Sequence, residues 1–313
     1  MTAPSRTLIF DYHVKISPHD ADLSLWLPAP STDAYQRVVT TNISSPVRLS
    51  LEEEPVNHNQ ILYGLFPATE NEASVVVRYQ VERFVRQAPS PHDHSEVESS
   101  DAPALARFLQ ADSRVPIDGP VVEAGVRVVS RDAPPREQAR QIFDYLLETL
   151  DYDSRGCTPE RAHELGDLVV ACDIQRGTCT EFHGLYVAHA RALGIPARFA
   201  FGFNVPQRPE GQIAGYHCWS EIFLSEVGWF AVDVSEAWKR SDPIERSFYF
   251  GNLDANRVQF TTGRDVSLVP PQHTGPVDRF IFPLAEMAGQ RVDVGLAFSF
   301  MDIEQSKLTT DAS

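Results

Sequence analysis

The chain has 313 residues, 42% of them hydrophobic, and a formal net charge of −16. That length supports a full core in two or three packed modules, and the negative balance argues against nucleic acid while leaving neutral or basic substrates open. No stretch approaches a membrane span, and Met1 to Arg6 is polar without an apolar h-region, so neither a bilayer nor a secretory signal is expected.

Period-two alternation opens the chain. Leu8, Phe10, Tyr12, Val14 and Ile16 alternate with mostly polar positions, followed by Leu23, Leu25 and Leu27, by Val47, Leu49 and Leu51, and by Val75, Val77, Tyr79 and Val81. Residues 1–87 therefore predict an N-terminal antiparallel, sandwich-like β domain. Residues 88–103, rich in Pro, Ser and acidic residues, read as a linker or exposed loop. Over 104–250 the period turns helical. Ala139, Ile142, Phe143, Leu146 and Leu150 form a stripe behind Pro134-Pro135, and a second helix carries Phe182, Leu185, Tyr186 and Leu193 and stops at Gly194. Arg198 to Phe203 begins a strand series. Beyond 251, Arg257–Phe260, Phe280–Phe282 and Val292–Phe300 predict further β strands packing on the core, with a frayed tail from Glu304 to Ser313. The expected fold class is α+β.

The four cysteines, Cys157, Cys172, Cys179 and Cys218, contain no C-x-x-C pair, which argues against a zinc site and against a disulfide scaffold. Reduced thiols in the cytoplasm fit this usage. His92-Asp93-His94 lacks a third spaced ligand and reads as solvated polar loop. No metal or other cofactor is expected.

One cysteine is placed for chemistry. In Gly177-Thr178-Cys179-Thr180-Glu181, Thr178 and Glu181 fit a capping box, so Cys179 falls at the first position of an amphipathic helix. Unpaired N–H groups and the positive end of the helix dipole there favour a thiolate. Downstream, Gly215–Leu224 and Gly228–Val234 predict a hairpin that turns around Ser225 to Gly228. A turn near Ser225 places His217 opposite Asp233, and a small slip leaves them diagonal; either way imidazole and carboxylate can meet. Cys218 should then point to the opposite strand face, away from the imidazole.

These blocks, with Ala190–Arg198, His217-Cys218-Trp219-Ser220-Glu221 and Gly228-Trp229-Phe230-Ala231-Val232-Asp233, resemble the transglutaminase-like superfamily of papain-related cysteine enzymes, of bacterial type. The resemblance spans about residues 100–250. It implies a papain-like catalytic core with Cys179 as nucleophile, His217 as general base and acid, and Asp233 as the residue orienting it, in the order reached from the residues alone. The family's oxyanion-hole glutamine has only Gln175 as a counterpart, at a shorter offset, and the Cys179 backbone N–H is the firmer donor. His183, one turn beyond Cys179, is either a core histidine or a substrate contact. Trp219 is either a cleft wall or core. Glu221 is expected in a structural ion pair or hydrogen bond.

The reading is a cysteine-dependent amide hydrolase, a protease or amidase acting on a peptide or protein substrate through a thioester acyl-enzyme. A transglutaminase, passing the acyl group to an amine, uses the same triad. A non-catalytic binding scaffold is the third alternative. Oligomeric state is open.

Overall fold

Alternation in the first strand sets the architecture. In the computed structural model, which describes residues 6–88, 105–158 and 166–303, β1 (Arg6–Ile16) buries Leu8, Phe10, Tyr12, Val14 and Ile16. Side chains two apart share a strand face, so this row becomes one wall of the core. β2 (Leu23–Ala29), β3 (Gln36–Ser44), β4 (Ser50–Glu53), β5 (Gln60–Phe66) and β6 (Ala73–Arg83) complete the N-terminal β unit. A mainly helical stretch follows: α1 (Pro120–Val126), α2 (Pro135–Thr149), β7 (Asp151–Tyr152), α3 (Leu168–Ile174), β8 (Arg176–Gly177) and α4 (Cys179–Ala192). The chain then runs through β9 (Ala197–Asn204), β10 (Glu210–Ile213), β11 (His217–Leu224), β12 (Gly228–Val232), α5 (Val234–Trp238) and α6 (Pro243–Phe248). It closes with β13 (Arg257–Thr262), β14 (Leu284–Met287), β15 (Gln290–Arg291) and β16 (Gly295–Asp302).

Three antiparallel sheets result, in the orders β10-β16-β1-β6-β3, β15-β14-β2-β5-β4 and β12-β11-β9-β13, with β7 and β8 as a short parallel pair. The fold is α+β, as expected. The C-terminal strands differ from expectation: only β13 joins the sheet of the helical core, whereas β14 pairs with β2 and β16 with β1. The N-terminal β unit is thus built from both ends of the sequence. It meets the third sheet through a ring cluster, with Phe10 and Tyr12 of β1 packed on Phe203 of β9 and Phe298 of β16, at centroid distances of 4.8 to 6.4 Å. Aromatic pairs of this kind contribute about 0.5–1.5 kcal/mol each beyond area burial.

Some predicted elements shift. The strand around Val47, Leu49 and Leu51 is only Ser50–Glu53, and Leu51 is exposed because β4 lies at a sheet edge. Phe280–Phe282 forms no strand; Phe280 and Ile281 fill the core from a turn leading into β14. The linker beyond Ala88, His92-Asp93-His94 and the tail beyond Ile303 lie outside the described residues. α4 is also not amphipathic. Every residue from Cys179 to Ala190 is buried, since the helix is packed by α1, α2 and α3 on one side and by β9 and β11 on the other. Among the described residues no helix is long and apolar enough to cross a membrane.

Candidate active site

Local sequence fixes the start of α4. Thr178 is the N-cap, its hydroxyl accepting from the Thr180 N–H at 3.3 Å, while Glu181 Oε2 accepts the Thr178 N–H at 2.6 Å. The expected capping box is therefore present. Gly177 is required by space, because a Cβ there would stand 2.5 Å from Glu181 Cβ. Cys179 follows at the first helical position, 1% exposed.

The electrostatics of this cysteine depart from expectation. Burial pushes its thiol well above the ordinary value. A hydrogen bond with Cys157 acts in the opposite direction, as does the backbone N–H of Cys218, while the Cys218 thiol reinforces the rise. A helix N-terminus offers a thiolate about 0.3–1 kcal/mol at an exposed site, up to about 2 when partly buried, and desolvation of a fully buried charge exceeds this. Cys179 therefore rests as a thiol and needs a base.

His217 and Asp233 meet. The hairpin register pairs Leu224 with Gly228 and Ser220 with Val232, so the turn is centred on Glu226 and the two residues are diagonal. Asp233 lies one residue past β12 and caps α5, its Oδ1 accepting the Glu236 N–H at 3.0 Å. His217 Nε2 is 2.8 Å from Asp233 Oδ2. A carboxylate only accepts, so Nε2 carries a proton, and in the neutral ring Nδ1 is the nitrogen that holds the lone pair.

Three more groups converge on the same carboxylate. His183 Nε2 and Ser235 Oγ reach Oδ1 at 3.2 and 3.1 Å, and Arg257 Nη1 reaches Oδ2 at 2.9 Å. Burial alone would raise the Asp233 pKa, but the charge of His217, hydrogen bonds from both histidines and the charge of Arg257 hold it well below the usual carboxylate range. Burial lowers the pKa of His183 despite the opposing pull of Asp233, so this imidazole is neutral at pH 7; its Nδ1 accepts from Ser220 Oγ at 3.1 Å.

Positions given tentative site roles by the sequence fall differently. His183 is fully buried and braces Asp233, because one turn beyond Cys179 points into the sheet and not into solvent. Trp219 is fully buried among Ala200, Ala231 and Leu253 with the Arg257 guanidinium 5.0 Å from its ring, which places it in the core and not on a cleft wall. Gln175 is exposed in the left-handed C-cap of α3 and offers its carbonyl to the Asp151 N–H; among the described residues no hydrogen bond joins it to Cys179. Strand alternation does send Cys218 to the face opposite His217, but α4 covers that face. The Cys218 thiol consequently hydrogen-bonds with Cys179. Arg257 was legible only as part of a strand; a charged residue at an inward position of a buried run was the available signal.

Glu221 is fully enclosed by two arginines, Arg198 directly across the sheet at 2.7 Å and Arg86, which hydrogen-bonds its other oxygen. Burial opposes ionisation, yet these charges bring its pKa down to about 2 from 4.5. A depressed carboxylate stabilises the fold fully above its unfolded value and ceases to do so as pH falls through the folded one. The stability difference between wild type and Glu221→Gln, read from urea midpoints, should be constant above about pH 5 and shrink from there towards pH 2. A difference that does not vary across that window would remove the ion pair from the stability account.

A cavity of about 610 Å³ reaches the edge of the site, lined in part by Tyr216, Ile281, Phe282 and Arg279. The Tyr216 hydroxyl is 2.5 Å from Thr180 Oγ1, beside Cys179, and 3.2 Å from Arg279 Nη1.

An uncharacterized protein of Haemophilus influenzae is 24% identical over 307 residues, covering 85% of this chain and 81% of that one. The crystal structure of a "putative cysteine protease" from Cytophaga hutchinsonii superposes with a TM-score of 0.62 at 13% identity, over 96% of this chain and 92% of that one, a likeness of fold. The family model of the transglutaminase-like superfamily matches residues 123–234, a span that contains Cys179, His217 and Asp233. The segment that carries the buried thiol, the paired imidazole and its carboxylate therefore belongs to the transglutaminase-like superfamily.

Proposed function

We propose that the protein is a cysteine-dependent amide hydrolase acting on peptide or protein substrates. One observation carries the reading: His217 is held on Asp233 through Nε2 at 2.8 Å, and the strand that bears it touches, at Cys218, a cysteine at a helix start. Contact between the Cys179 sulfur and the N–H of the residue after His217 brings strand and helix together at that point. In this scheme His217 Nδ1 takes the Cys179 thiol proton, and the sulfur attacks the amide carbonyl carbon. The Cys179 N–H, one of the helix's unpaired donors, faces the developing oxyanion. Collapse breaks the C–N bond, the proton passes from His217 to the leaving amine, and a thioester remains. Water, deprotonated by the same imidazole, then releases the acid and restores the thiol. The fold shared with the Cytophaga protein is consistent with this chemistry. The cavity beside Tyr216 is the proposed site for the acyl side of the substrate.

Cys172 is only half-buried, so labelling is best read in a Cys172→Ser background. There, limiting iodoacetamide should modify Cys179 ahead of Cys157 and Cys218, and Cys179→Ala should abolish turnover of a peptide library while the protein stays folded. Products analysed by mass spectrometry with a lysine analogue present should be predominantly free acids. Predominant amine incorporation would make the protein a transglutaminase. Absence of both labelling and turnover would leave the scaffold reading.

A further inference from the structure

The Cys157 and Cys179 sulfurs lie 3.3 Å apart, although the residues are 22 positions apart, Cys157 in a loop and Cys179 at the start of α4. Cys157 is held in place through its backbone. Its carbonyl accepts the Tyr216 N–H at 3.1 Å, and the turn before it is tied to the start of α4 by the Asp153 N–H donating to the Gly177 carbonyl at 2.7 Å. Gly215 lets this segment approach: a Cβ there would fall 2.2 Å from the Cys157 carbonyl oxygen. Thr180 Oγ1, 3.8 Å from the Cys157 sulfur, completes the setting. Nothing in the hydrolytic scheme uses Cys157.

We infer that Cys157 and Cys179 form a reversible oxidation site, at which hydrogen peroxide converts the two thiols to a disulfide and a dithiol reductant restores them. A disulfide needs its sulfurs about 2.05 Å apart, so closure requires a movement of little more than 1 Å, within the range of a χ1 adjustment. The electrons balance in two steps. Cys179 thiolate attacks a peroxide oxygen, the O–O bond breaks, and sulfenic acid forms with release of hydroxide. The Cys157 sulfur then displaces that hydroxyl, the S–S bond forms, and overall two thiols and one H2O2 give one disulfide and two waters. Reduction returns two electrons and two protons from a dithiol by exchange through a mixed disulfide. Any route that admits a substrate carbonyl to Cys179 admits peroxide, which is smaller. Cys157 thereby intercepts the sulfenic acid before further oxidation to sulfinic acid, an irreversible loss for most cysteines. Cys218 also touches Cys179, but it is fixed within β11 by the β9 ladder, whereas Cys157 lies in a loop outside any helix or strand.

The test reads mass and not turnover, so it stands even if the protein hydrolyses nothing. The full chain is treated with equimolar hydrogen peroxide, quenched with N-ethylmaleimide and digested without reductant. A Cys157–Cys179 linked peptide is expected, with loss of maleimide at both residues and its full return after dithiothreitol. Cys157→Ser should instead accumulate Cys179 sulfinic acid that dithiothreitol does not reverse, while Cys218→Ser should leave the linked peptide intact. The inference is overturned if wild type gives sulfinic Cys179 without the linked peptide, or if Cys179 is linked to Cys218. The wild-type digest alone decides this should either variant fail to fold.

Discussion

Asp233→Asn is expected to lower kcat for amide hydrolysis by roughly 10⁴-fold, with KM little changed. The amide can turn its NH2 towards His217 Nε2, which then must accept. The proton moves to Nδ1, and the nitrogen that should take the Cys179 proton loses its lone pair. The variant also removes the negative charge that balances an imidazolium in the transition state. Stability should fall as well, because Arg257 keeps only Asp254, at 3.2 Å, as an ion-pair partner among the described residues. Measuring kcat and KM beside a thermal melt separates the two effects. Wild-type turnover in a folded Asp233→Asn protein would take Asp233 out of the mechanism.

The second large effect should come from a residue that touches no substrate. Arg257 is buried, its Nη1 on Asp233, its Nη2 on Asp254 and its plane over Trp219. Removing one member of a buried ion pair strands the other charge, so Arg257→Ala should cost about 3–5 kcal/mol in a urea titration. Arg257→Lys should recover only part of this, since an ammonium keeps the charge but cannot span both carboxylates in the same plane. Any Ala variant that folds should also lose activity at a higher pH on the acid side. Without the guanidinium, burial raises the Asp233 pKa, and protonation of Asp233 would then interrupt its hold on His217. A cost below about 1 kcal/mol, the range of an exposed pair, would show that the network is dispensable for stability.

Which of these groups could be read from the sequence follows from the distance over which each acts. The helix start at Thr178–Glu181 is a local capping pattern, and it appears as written. The hairpin bearing His217 and Asp233 is nearly as local; its register differed only because the turn is centred on Glu226 rather than Ser225. Strands with regular alternation, β1, β2 and β6, were also legible. β3 and β5 were not: β3 is largely exposed, and β5 holds Gly64 and an exposed Leu65, so neither presents a clean apolar row. What escaped entirely depends on packing between distant segments. Sequence spacing contains nothing to show that α4 would lie against the Cys218 face of β11, that Arg257 would reach Asp233, or that Cys157 would meet Cys179. The capping pattern placed Cys179 at a helix start, as found, but the effect of that start on ionisation was overestimated because burial could not be known.

The pairing of β1 with β16 gives the protein a particular order of assembly. Arg6 Nε donates to Asp302 Oδ1 at 2.9 Å across 296 residues, and β1 is bordered by β6 along its whole length and by β16 from Leu8 to Lys15. During synthesis β1 and β6 can form their ladder early. The other edge of β1, with its unpaired N–H and C=O groups, must wait for more than two hundred further residues to leave the ribosome. At roughly 5–20 residues per second that interval is on the order of ten seconds or more. The nascent chain therefore carries an open strand edge, a row of unpaired backbone groups, for that time.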